Sequence, residues 1–286
     1  MSKKTNKIRK PGWLKVKTCG DKRYLETMSL IRNNRLETVC QQANCPNRGE
    51  CFSSGTATFL ILGNICTRNC SFCNITTGRP RPVDDDEPNR VAGAVKILNL
   101  EHAVITSVTR DDLPDGGAEQ FVRVIDSIRR LNNKVTIEVL TPDFRGSREN
   151  ILKVLKAEPD VYNHNIETVP RLYPAVRPAA DYRQSLRLLK LISNGKTAVK
   201  SGIMVGLGET VDELNSVFVD MNEAGVEYLT IGQYLAPSQK HHPIIKYYEP
   251  SEFDNLAESA RRAGIRSVFS APLVRSSYHA KEIFHS

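Results

Sequence analysis

The sequence predicts an α/β fold in which six strand–helix units form a partial TIM-like barrel. Three observations support this prediction. Short apolar runs of strand length recur along the middle of the 286-residue chain. Amphipathic segments with helical spacing separate these runs, and turn residues such as Asn194 and Gly195 end them. Strands that alternate with helices form parallel sheets with right-handed crossovers. Because a complete barrel of this class needs eight units, we expect a splayed, partial barrel, with an open doubly wound sheet as the alternative.

Six segments are predicted as strands because each is short, apolar and rich in β-branched or aromatic residues. The first of them ends before Gly63, and the third is ended by Thr141 and Pro142. The predicted strands are 57–62, 102–108, 135–140, 161–165, 198–205 and 228–233.

Five segments between these strands are predicted as helices, because their apolar residues recur every three or four positions. The clearest helix contains Phe121, Ile125 and Ile128 on one face. Gly225 follows the last of these helices, at a position where helices commonly end. The predicted helices are 88–100, 118–131, 151–157, 181–193 and 211–224.

The alternation divides the chain into three parts. Residues 56–235 form the predicted barrel, residues 1–55 form an N-terminal extension, and residues 236–286 form a C-terminal extension. We expect both extensions to cover the ends or the mouth of the barrel. In folds of this class ligands bind at the C-terminal ends of the parallel strands, so the loops there form the candidate site.

The composition is that of an ordinary globular protein with a basic balance. Lysine and arginine number 40 against 32 aspartate and glutamate, which gives a net charge of +8. Part of this charge lies in the first 35 residues, as either a solvated basic arm or a docking surface for an acidic macromolecule. No recognised nucleic-acid-binding motif accompanies it, and no apolar run suits a membrane span or a secretory signal. We therefore expect a cytoplasmic protein that binds neither nucleic acid nor membrane.

Six of the seven cysteines lie within 34 residues, in two triplets of unequal spacing. Thiolates are the usual ligands of iron–sulfur clusters, and three of them leave one iron of a cubane without a protein ligand. The first triplet, C-x4-C-x5-C, is Cys40, Cys45 and Cys51, and the second, C-x3-C-x2-C, is Cys66, Cys70 and Cys73.

Two other interpretations of the cysteines are weaker. A structural zinc site needs a fourth ligand and usually pairs of C-x2-C spacing, of which the chain has only one. Disulfides are disfavoured because the count is odd and no secretory signal precedes the cysteines. Cys19 stands apart, either as a spare thiol or as a fourth ligand of the first triplet.

The second triplet carries the most specific signal in the chain. Its spacing, with Phe72 before the last cysteine, resembles that of the radical S-adenosylmethionine superfamily. Together with the first triplet and the R-S-S-Y motif at 275–278, it is similar to the lipoyl synthase family. The resemblance covers essentially the whole chain, including Y-L-A-P-S at 234–238.

The resemblance implies that the second triplet binds a 4Fe-4S cluster whose fourth iron is chelated by S-adenosyl-L-methionine. The reduced cluster of this superfamily cleaves the sulfonium and releases a 5′-deoxyadenosyl radical. Loops after the strands are expected to hold the amino group, the ribose or carboxylate, and the adenine, although turn glycines and helix ends explain these loops equally well. The expected cofactor contacts are Phe72, Gly116, Gly117, Asn165, Glu167, Arg177, Gly206 and Gly208.

The resemblance also implies an auxiliary 4Fe-4S cluster at the first triplet, with a serine as its fourth ligand. We place this serine at Ser277, and the spacing leaves Ser276 as the alternative. The auxiliary cluster of this family gives its sulfide to C6 and C8 of an octanoyl-lysine on a carrier protein, in lipoate biosynthesis. These C–H bonds are unactivated, so the cofactors perform the difficult step, and no catalytic residue is expected beyond the cluster ligands.

The implied partners are proteins. They are an octanoylated lipoyl domain of 2-oxoacid dehydrogenase complexes or the glycine cleavage H protein, an electron donor such as ferredoxin or flavodoxin, and a cluster-repair protein. The alternatives are another sulfur-inserting radical enzyme, similar to biotin synthase or a methylthiotransferase, and a ferredoxin-like electron carrier. The adjacent His241 and His242 are interpreted as surface residues rather than metal ligands.

Overall fold

Strands and helices alternate along most of the chain in the computed structural model, which describes residues 9–16 and 20–285. Cys19 and part of the basic N-terminal segment lie outside the described residues. The strands are β1 (Glu37–Thr38), β2 (Thr58–Ile61), β3 (Ile65–Cys66), β4 (Thr76–Thr77), β5 (His102–Ser107), β6 (Thr136–Leu140), β7 (Val161–Asn163), β8 (Ala198–Val205), β9 (Tyr228–Gln233) and β10 (Ser267–Ala271). The helices are α1 (Lys22–Asn33), α2 (Val39–Gln42), α3 (Arg48–Ser53), α4 (Glu87–Ile97), α5 (Ala118–Leu131), α6 (Arg148–Lys156), α7 (Tyr173–Val176), α8 (Tyr182–Ile192), α9 (Val211–Glu223), α10 (Pro250–Arg262) and α11 (Ala280–His285).

One sheet holds eight strands in the order β1-β2-β5-β6-β7-β8-β9-β10. β1 is antiparallel to β2, and every other neighbouring pair is parallel. Within the described part of the chain the outer strands β1 and β10 do not pair with each other, so the barrel is open. The predicted partial barrel is confirmed, and the sequential strand order excludes the doubly wound alternative, in which the order reverses at a switch point.

The six predicted strands correspond to β2, β5, β6, β7, β8 and β9, and their bounds differ from the prediction by at most about two residues. The helix predicted at 151–157 begins earlier, at Arg148, because Ser147 accepts a hydrogen bond from the Asn150 backbone N–H (3.3 Å) and so caps the helix.

The C-terminal extension differs from the expectation that it lies outside the alternation. It adds α10 and then β10, which pairs with β9 as a further parallel strand. β10 lacks the apolar run that marks the other strands, since only Val268 among its five residues is buried. As an edge strand it needs less apolar surface than a central one.

The helices form an outer layer that follows the chain, with α4 on α5, α5 on α6, α6 on α8, α8 on α9 and α9 on α10. Their apolar faces, including Phe121, Leu189 and Phe218, are fully buried against the sheet. This layering leaves the C-terminal ends of the strands free for loops. None of the helices in the described ranges is long and apolar enough to span a membrane.

A buried charged network joins four neighbouring strands of the sheet. Lys200 Nζ on β8 donates to both carboxylate oxygens of Glu138 on β6 (2.9 and 3.0 Å). His102 Nε2 on β5 lies 3.2 Å from the same carboxylate, and Asn163 Nδ2 on β7 donates to it (3.1 Å). Burial raises the pKa of Glu138, but the charge of Lys200 and the contact with His102 outweigh burial and lower it to about 2.

This depressed pKa links the network to stability. A carboxylate with a folded-state pKa below its ordinary 4.5 stabilises the fold fully above about pH 4.5. The contribution is lost as the pH falls toward 2, where the folded protein also takes up the proton.

Lys200→Met should lower the free energy of unfolding by about 3–5 kcal/mol, because it leaves the Glu138 charge buried without its cation. Urea unfolding of the purified protein measures this loss. The double variant Glu138→Leu/Lys200→Met should recover much of it, since apolar residues can replace a buried pair. Lys153→Met is the control, because the partly exposed Lys153–Glu119 pair (3.4 Å) should contribute only about 0–1 kcal/mol. Equal losses in the two single variants would contradict the assignment.

Candidate functional site

The second cysteine triplet lies in the loop after β2, at the C-terminal end of the first barrel strand. Cys66 ends β3, which pairs in parallel with β4 and so closes the loop between them. Within the loop the backbone N–H of Cys73 donates to the carbonyl of Cys70 (3.1 Å), and Gly78 N–H donates to the carbonyl of Cys66 (3.0 Å). The six cysteines at 40–73 are all free thiols.

Arg68 lies inside this triplet and fixes the loop to the barrel. Its guanidinium donates two hydrogen bonds to Asp111 (2.7 and 3.0 Å) and two to Asp143 (2.7 and 3.0 Å). The two aspartates follow β5 and β6, so one side chain ties three successive strand ends together. Only 7% of the Arg68 side chain is exposed, and bidentate pairs of this kind are among the strong hydrogen bonds of proteins. Burial raises the pKa of Asp143, but the bonds from Arg68 outweigh it and lower that pKa.

A strap after β9, residues 238–246, lies against the same cysteine loop. The His241 imidazole donates through Nε2 to the carbonyl of Cys73 (3.1 Å). The backbone N–H of His242 donates to the carbonyl of Ser71 (2.8 Å). The prediction that these two histidines are surface residues is therefore incomplete. Both are partly buried, and both hydrogen-bond to the loop that carries the second triplet.

The loop after β8 contains the predicted glycines Gly206 and Gly208, which have φ of +100° and +113°. Such values strongly favour glycine. The Glu209 carboxylate accepts from the N–H groups of Gly206 (2.6 Å) and Leu207 (2.9 Å), and the His242 Nε2 donates to the carbonyl of Leu207 (2.9 Å). The strap therefore joins this glycine loop to the cysteine loop.

The other predicted glycine pair, Gly116 and Gly117, precedes α5 with φ of +62° and +90°. A Cβ at Gly116 would lie 3.0 Å from Phe144, and one at Gly117 would overlap Leu62. The Asp115 carboxylate accepts from the N–H of Gly117 (2.9 Å). Backbone conformation and packing thus explain these glycines without a ligand.

Asn165, Glu167 and Arg177 come together beside the second triplet. Asn165 Nδ2 donates to Glu167 Oε1 (3.0 Å), and Arg177 Nη1 donates to the backbone carbonyl of Asn165 (2.9 Å). Burial raises the pKa of Glu167, and the charge of Arg177 opposes this rise. Asn165 Oδ1 and Arg177 Nε are buried without a hydrogen-bond partner among the described residues. Unpaired buried polar atoms are uncommon, so these residues fit a polar ligand with carboxylate, amino or hydroxyl groups.

The cysteines of the second triplet are partly buried and lie close to one another. Burial raises the pKa of Cys73 to about 12 and also raises that of Cys70, while the positive charge of Arg177 opposes the rise at Cys70. Cys66 and Cys70 raise the pKa of Cys73 further, so the three thiols lie within electrostatic reach of one another. Thiols of this kind become thiolates when a metal binds them.

The first triplet occupies two short helices that precede β2. Cys40 lies in α2 and Cys51 in α3, and the N–H of Cys45 between them donates to the carbonyl of Cys40 (3.2 Å). Burial raises the pKa of Cys40 to about 11 and that of Cys51 to about 12, and neighbouring cysteines add to both. The possible fourth ligand Cys19 lies outside the described residues.

The two serines of the R-S-S-Y motif face different neighbours. Thr58 Oγ1 donates to Ser277 Oγ (2.7 Å), and Thr58 also interacts with Cys40 of the first triplet, where it opposes the rise of the thiol pKa. Ser276 Oγ instead accepts from Asn165 Nδ2 (2.7 Å), on the side of the second triplet. The motif therefore lies between the surroundings of the two triplets.

The donor chemistry of both triplets fits iron–sulfur clusters. Among the residues that the structure describes, no three His, Cys, Asp or Glu side chains converge as ligands of a single metal ion would. A cubane makes no such demand, because each thiolate binds a separate iron at its own corner.

Sequence reasoning missed the residues that position the cysteine loop. Arg68 stands inside the motif, and Asp111 and Asp143 follow β5 and β6 at the end of the sheet where ligands bind. That location is a signal which could have identified the two aspartates. Phe72, which was predicted from the motif, is partly buried and packs against the core.

Comparison with known proteins identifies the family. Residues 60–221 match the family model of the radical SAM superfamily. The chain is 51% identical to the lipoyl synthase of Caldicellulosiruptor saccharolyticus, over 96% of this chain and 97% of that protein. It is 53% identical to the lipoyl synthase of Caldanaerobacter subterraneus, over 96% of both chains.

Solved structures show the same fold at low sequence identity. HydG, a maturase of the [FeFe]-hydrogenase, matches with a TM-score of 0.58 and 17% identity, over 86% of this chain and 63% of that one. Methylornithine synthase PylB matches with a TM-score of 0.53 and 13% identity, over 90% of this chain and 83% of that one. Streptococcus suis SuiB bound to S-adenosylmethionine matches at 0.55 and 11% identity, over 71% of this chain and 46% of that one. The fold and the full-length relatives agree, and the chain belongs to the lipoyl synthase family of radical S-adenosylmethionine enzymes.

Proposed function

We propose that the protein inserts sulfur at C6 and C8 of an octanoyl chain in amide linkage to a carrier lysine, and so forms the lipoyl cofactor. Family membership supports radical sulfur insertion in lipoyl biosynthesis. The observation that carries the finer proposal is the R-S-S-Y motif, whose serines contact the surroundings of two separate sets of free thiols.

The proposed cofactors are two 4Fe-4S clusters and S-adenosyl-L-methionine. When bound, the cluster at the second triplet supplies a 5′-deoxyadenosyl radical from S-adenosylmethionine, and the auxiliary cluster supplies sulfide. The chain's own task is to position the substrate carbon between these groups and to exclude water. For the cluster that cleaves S-adenosylmethionine, the proposed ligands are Cys66, Cys70 and Cys73. For the auxiliary cluster, they are Cys40, Cys45, Cys51 and Ser277.

We assign the binding of S-adenosylmethionine to the surroundings of the second triplet. The unpaired Asn165 Oδ1 and Arg177 Nε, together with the carboxylate of Glu167, offer an acceptor, a donor and a charge partner in one place. The glycine loop after β8 and the glycine pair before α5 line the same end of the barrel, although their packing already accounts for them. Asn165, Glu167 and Arg177 are therefore the better supported contacts.

Two contacts support Ser277 rather than Ser276 as the fourth auxiliary ligand. Ser277 shares Thr58 with the first triplet, whereas Ser276 hydrogen-bonds to Asn165 near the second. A hydroxyl oxygen is a poorer match for iron than a thiolate. Such a ligand suits a cluster that gives up its sulfide.

The proposal assigns roles to the three parts of the chain and to partner proteins. Residues 1–55 carry the auxiliary cysteines, residues 56–235 form most of the radical barrel, and residues 236–286 add β10 and supply the serine. The partners are an octanoylated carrier domain, an electron donor such as ferredoxin or flavodoxin, and a protein that rebuilds the auxiliary cluster. We place this work in the cytoplasm.

Mass spectrometry of an octanoylated carrier peptide tests the function directly. After anaerobic incubation with reconstituted protein, reductant and S-adenosylmethionine, the peptide should gain two sulfur atoms. It should also lose two hydrogens in the cyclic disulfide form. A peptide that gains no sulfur while 5′-deoxyadenosine accumulates would refute the proposal.

Replacing each triplet with alanine should separate the two activities. Cys66→Ala/Cys70→Ala/Cys73→Ala should abolish 5′-deoxyadenosine formation and leave about four irons per chain at the other site. Cys40→Ala/Cys45→Ala/Cys51→Ala should keep cleavage of S-adenosylmethionine but stop sulfur insertion. Iron assays and chromatography of the nucleoside measure both effects. Loss of all iron from either variant would contradict independent sites.

Arg68→Lys should weaken cluster binding at the second triplet, because an ammonium cannot form the four directed hydrogen bonds to Asp111 and Asp143 that fix the cysteine loop. We expect 5′-deoxyadenosine formation to fall by about 10–100-fold, as for residues that orient metal ligands. Arg123→Lys, at the exposed pair with Asp85, is the matched control and should change little. Equal rates for both variants and the wild type would show that Arg68 has no positioning role.

Carrier binding should weaken with salt if the basic N-terminal segment receives an acidic partner, because the Debye length is about 8 Å at physiological ionic strength. Replacing the exposed Arg9, Lys10 and Lys15 with glutamine should reduce both the affinity and its salt dependence. Lys96→Gln, on α4, is the control. An affinity that is independent of salt would remove this role.

A further inference from the structure

Two glycines lie inside neighbouring strands, where glycine weakens a sheet. Gly202 on β8 aligns with Thr230 on β9, and Gly232 on β9 aligns with Met204 on β8. Neither glycine has the positive φ that would demand glycine for conformational reasons. A glycine in a strand interior then often marks a place where another backbone or a ligand approaches closely.

The group that approaches these glycines is the chain's own terminal segment, residues 272–279. A Cβ at Gly232 would overlap the carbonyl oxygen of Val274. A Cβ at Gly202 would lie 3.1 Å from Ser276 Oγ and 2.8 Å from Asn165 Oδ1. The two missing side chains thus leave a space, the glycine seat (Gly202 and Gly232), in which the terminal segment lies.

Hydrogen bonds hold the terminal segment on both sides of the seat. Asn47 Nδ2 donates to the carbonyl of Leu273 (2.7 Å), and the Tyr278 hydroxyl donates to the carboxylate of Glu50 (3.0 Å). Both of these partners belong to the region of the first triplet. Ser276 supplies the contact toward the barrel, through the bond from Asn165 (2.7 Å).

Charge also relates the segment to both triplets. The Arg275 guanidinium interacts electrostatically with Cys45 and with Glu167. The guanidinium therefore lies within electrostatic reach of one group near each triplet. Its Nη1 donates to the carbonyl of Val274 (2.6 Å), the same oxygen that lies over Gly232.

We propose that the glycine seat fixes the register of the terminal segment and that Ser276, bonded to Asn165, is a positioning residue that presents Ser277 to the first triplet. This inference rests on the proposed function, in which Ser277 is the auxiliary ligand. Ser276 and Ser277 are neighbours in the chain with different partners, so a shift of one residue would exchange them. The seat and the Asn165 bond prevent that shift.

Hydrogen exchange tests the seat in the full-length protein without reference to any cluster. Gly232→Ala should speed exchange of the amides in 272–279 by about tenfold or more, because the segment must leave its place. Ser276→Ala should speed it by about fivefold, which corresponds to the loss of one hydrogen bond. Gly93→Ala, where an added Cβ meets open space, and Ser270→Ala, in β10, are the controls and should change nothing in this segment. Wild-type exchange in Gly232→Ala overturns the seat, and wild-type exchange in Ser276→Ala overturns the role of Ser276.

Iron release then tests the link to the auxiliary ligand. In protein whose second triplet is replaced by alanine, Ser277→Ala should give the electron paramagnetic resonance signal of a three-iron cluster. Ser276→Ala should retain about four irons but release one of them to a chelator about fivefold faster than Ser270→Ala does. A three-iron signal from Ser276→Ala instead would make Ser276 the ligand and overturn the proposal. If Gly232→Ala and Ser276→Ala speed exchange in 272–279 as expected, but the first triplet binds no iron even with Ser276 and Ser277 intact, the seat is supported and the proposed function is refuted.

Discussion

The site depends on one constraint, which is that thiols held away from water do not ionise unaided. Burial raises the pKa of Cys40 to about 11 and that of Cys73 to about 12, so a bare thiolate in these places is unstable. A bound metal supplies the missing positive charge and couples ligand deprotonation to its own binding. The guanidinium groups of Arg177 and Arg275 assist, since each lies near one thiol of a different triplet. At both triplets the raised pKa values therefore keep the thiols protonated unless a metal binds them.

The C-terminal third of the chain does much of the positioning around these places. The strap at 238–246 connects the cysteine loop to the glycine loop after β8 through His241 and His242. The segment at 272–279 connects the first triplet to the loop that contains Asn165. Both are irregular connections that run between regular elements, and both are held by hydrogen bonds to backbone carbonyls or short polar side chains. The parallel strands supply a rigid edge, and these two connections relate one half of the site to the other.

Local periodicity predicted most of the fold, and the spacing of the cysteines indicated two candidate cluster sites, because both signals lie within short stretches of sequence. β10 was not predicted because an edge strand carries little apolar pattern. The role of His241 could not be read from its neighbours, since its partner Cys73 is 168 residues away in the chain. Spacing could not choose between Ser276 and Ser277 for a related reason. Adjacent residues in an irregular segment can face opposite ways, and the different partners of Ser276 and Ser277 are visible only in the structure.

The buried charged network has a consequence for the register of the barrel strands. Its members come from β5, β6, β7 and β8, one from each strand. Sliding β6 or β8 by one position would turn its charged side chain to the other face of the sheet. Glu138 or Lys200 would then be left as an isolated ion away from water, which is far more unfavourable than a misplaced apolar residue. The network thus favours the native register of these strands. Apolar packing alone would tolerate some shifted registers, but a shift that isolates a buried charge is unfavourable.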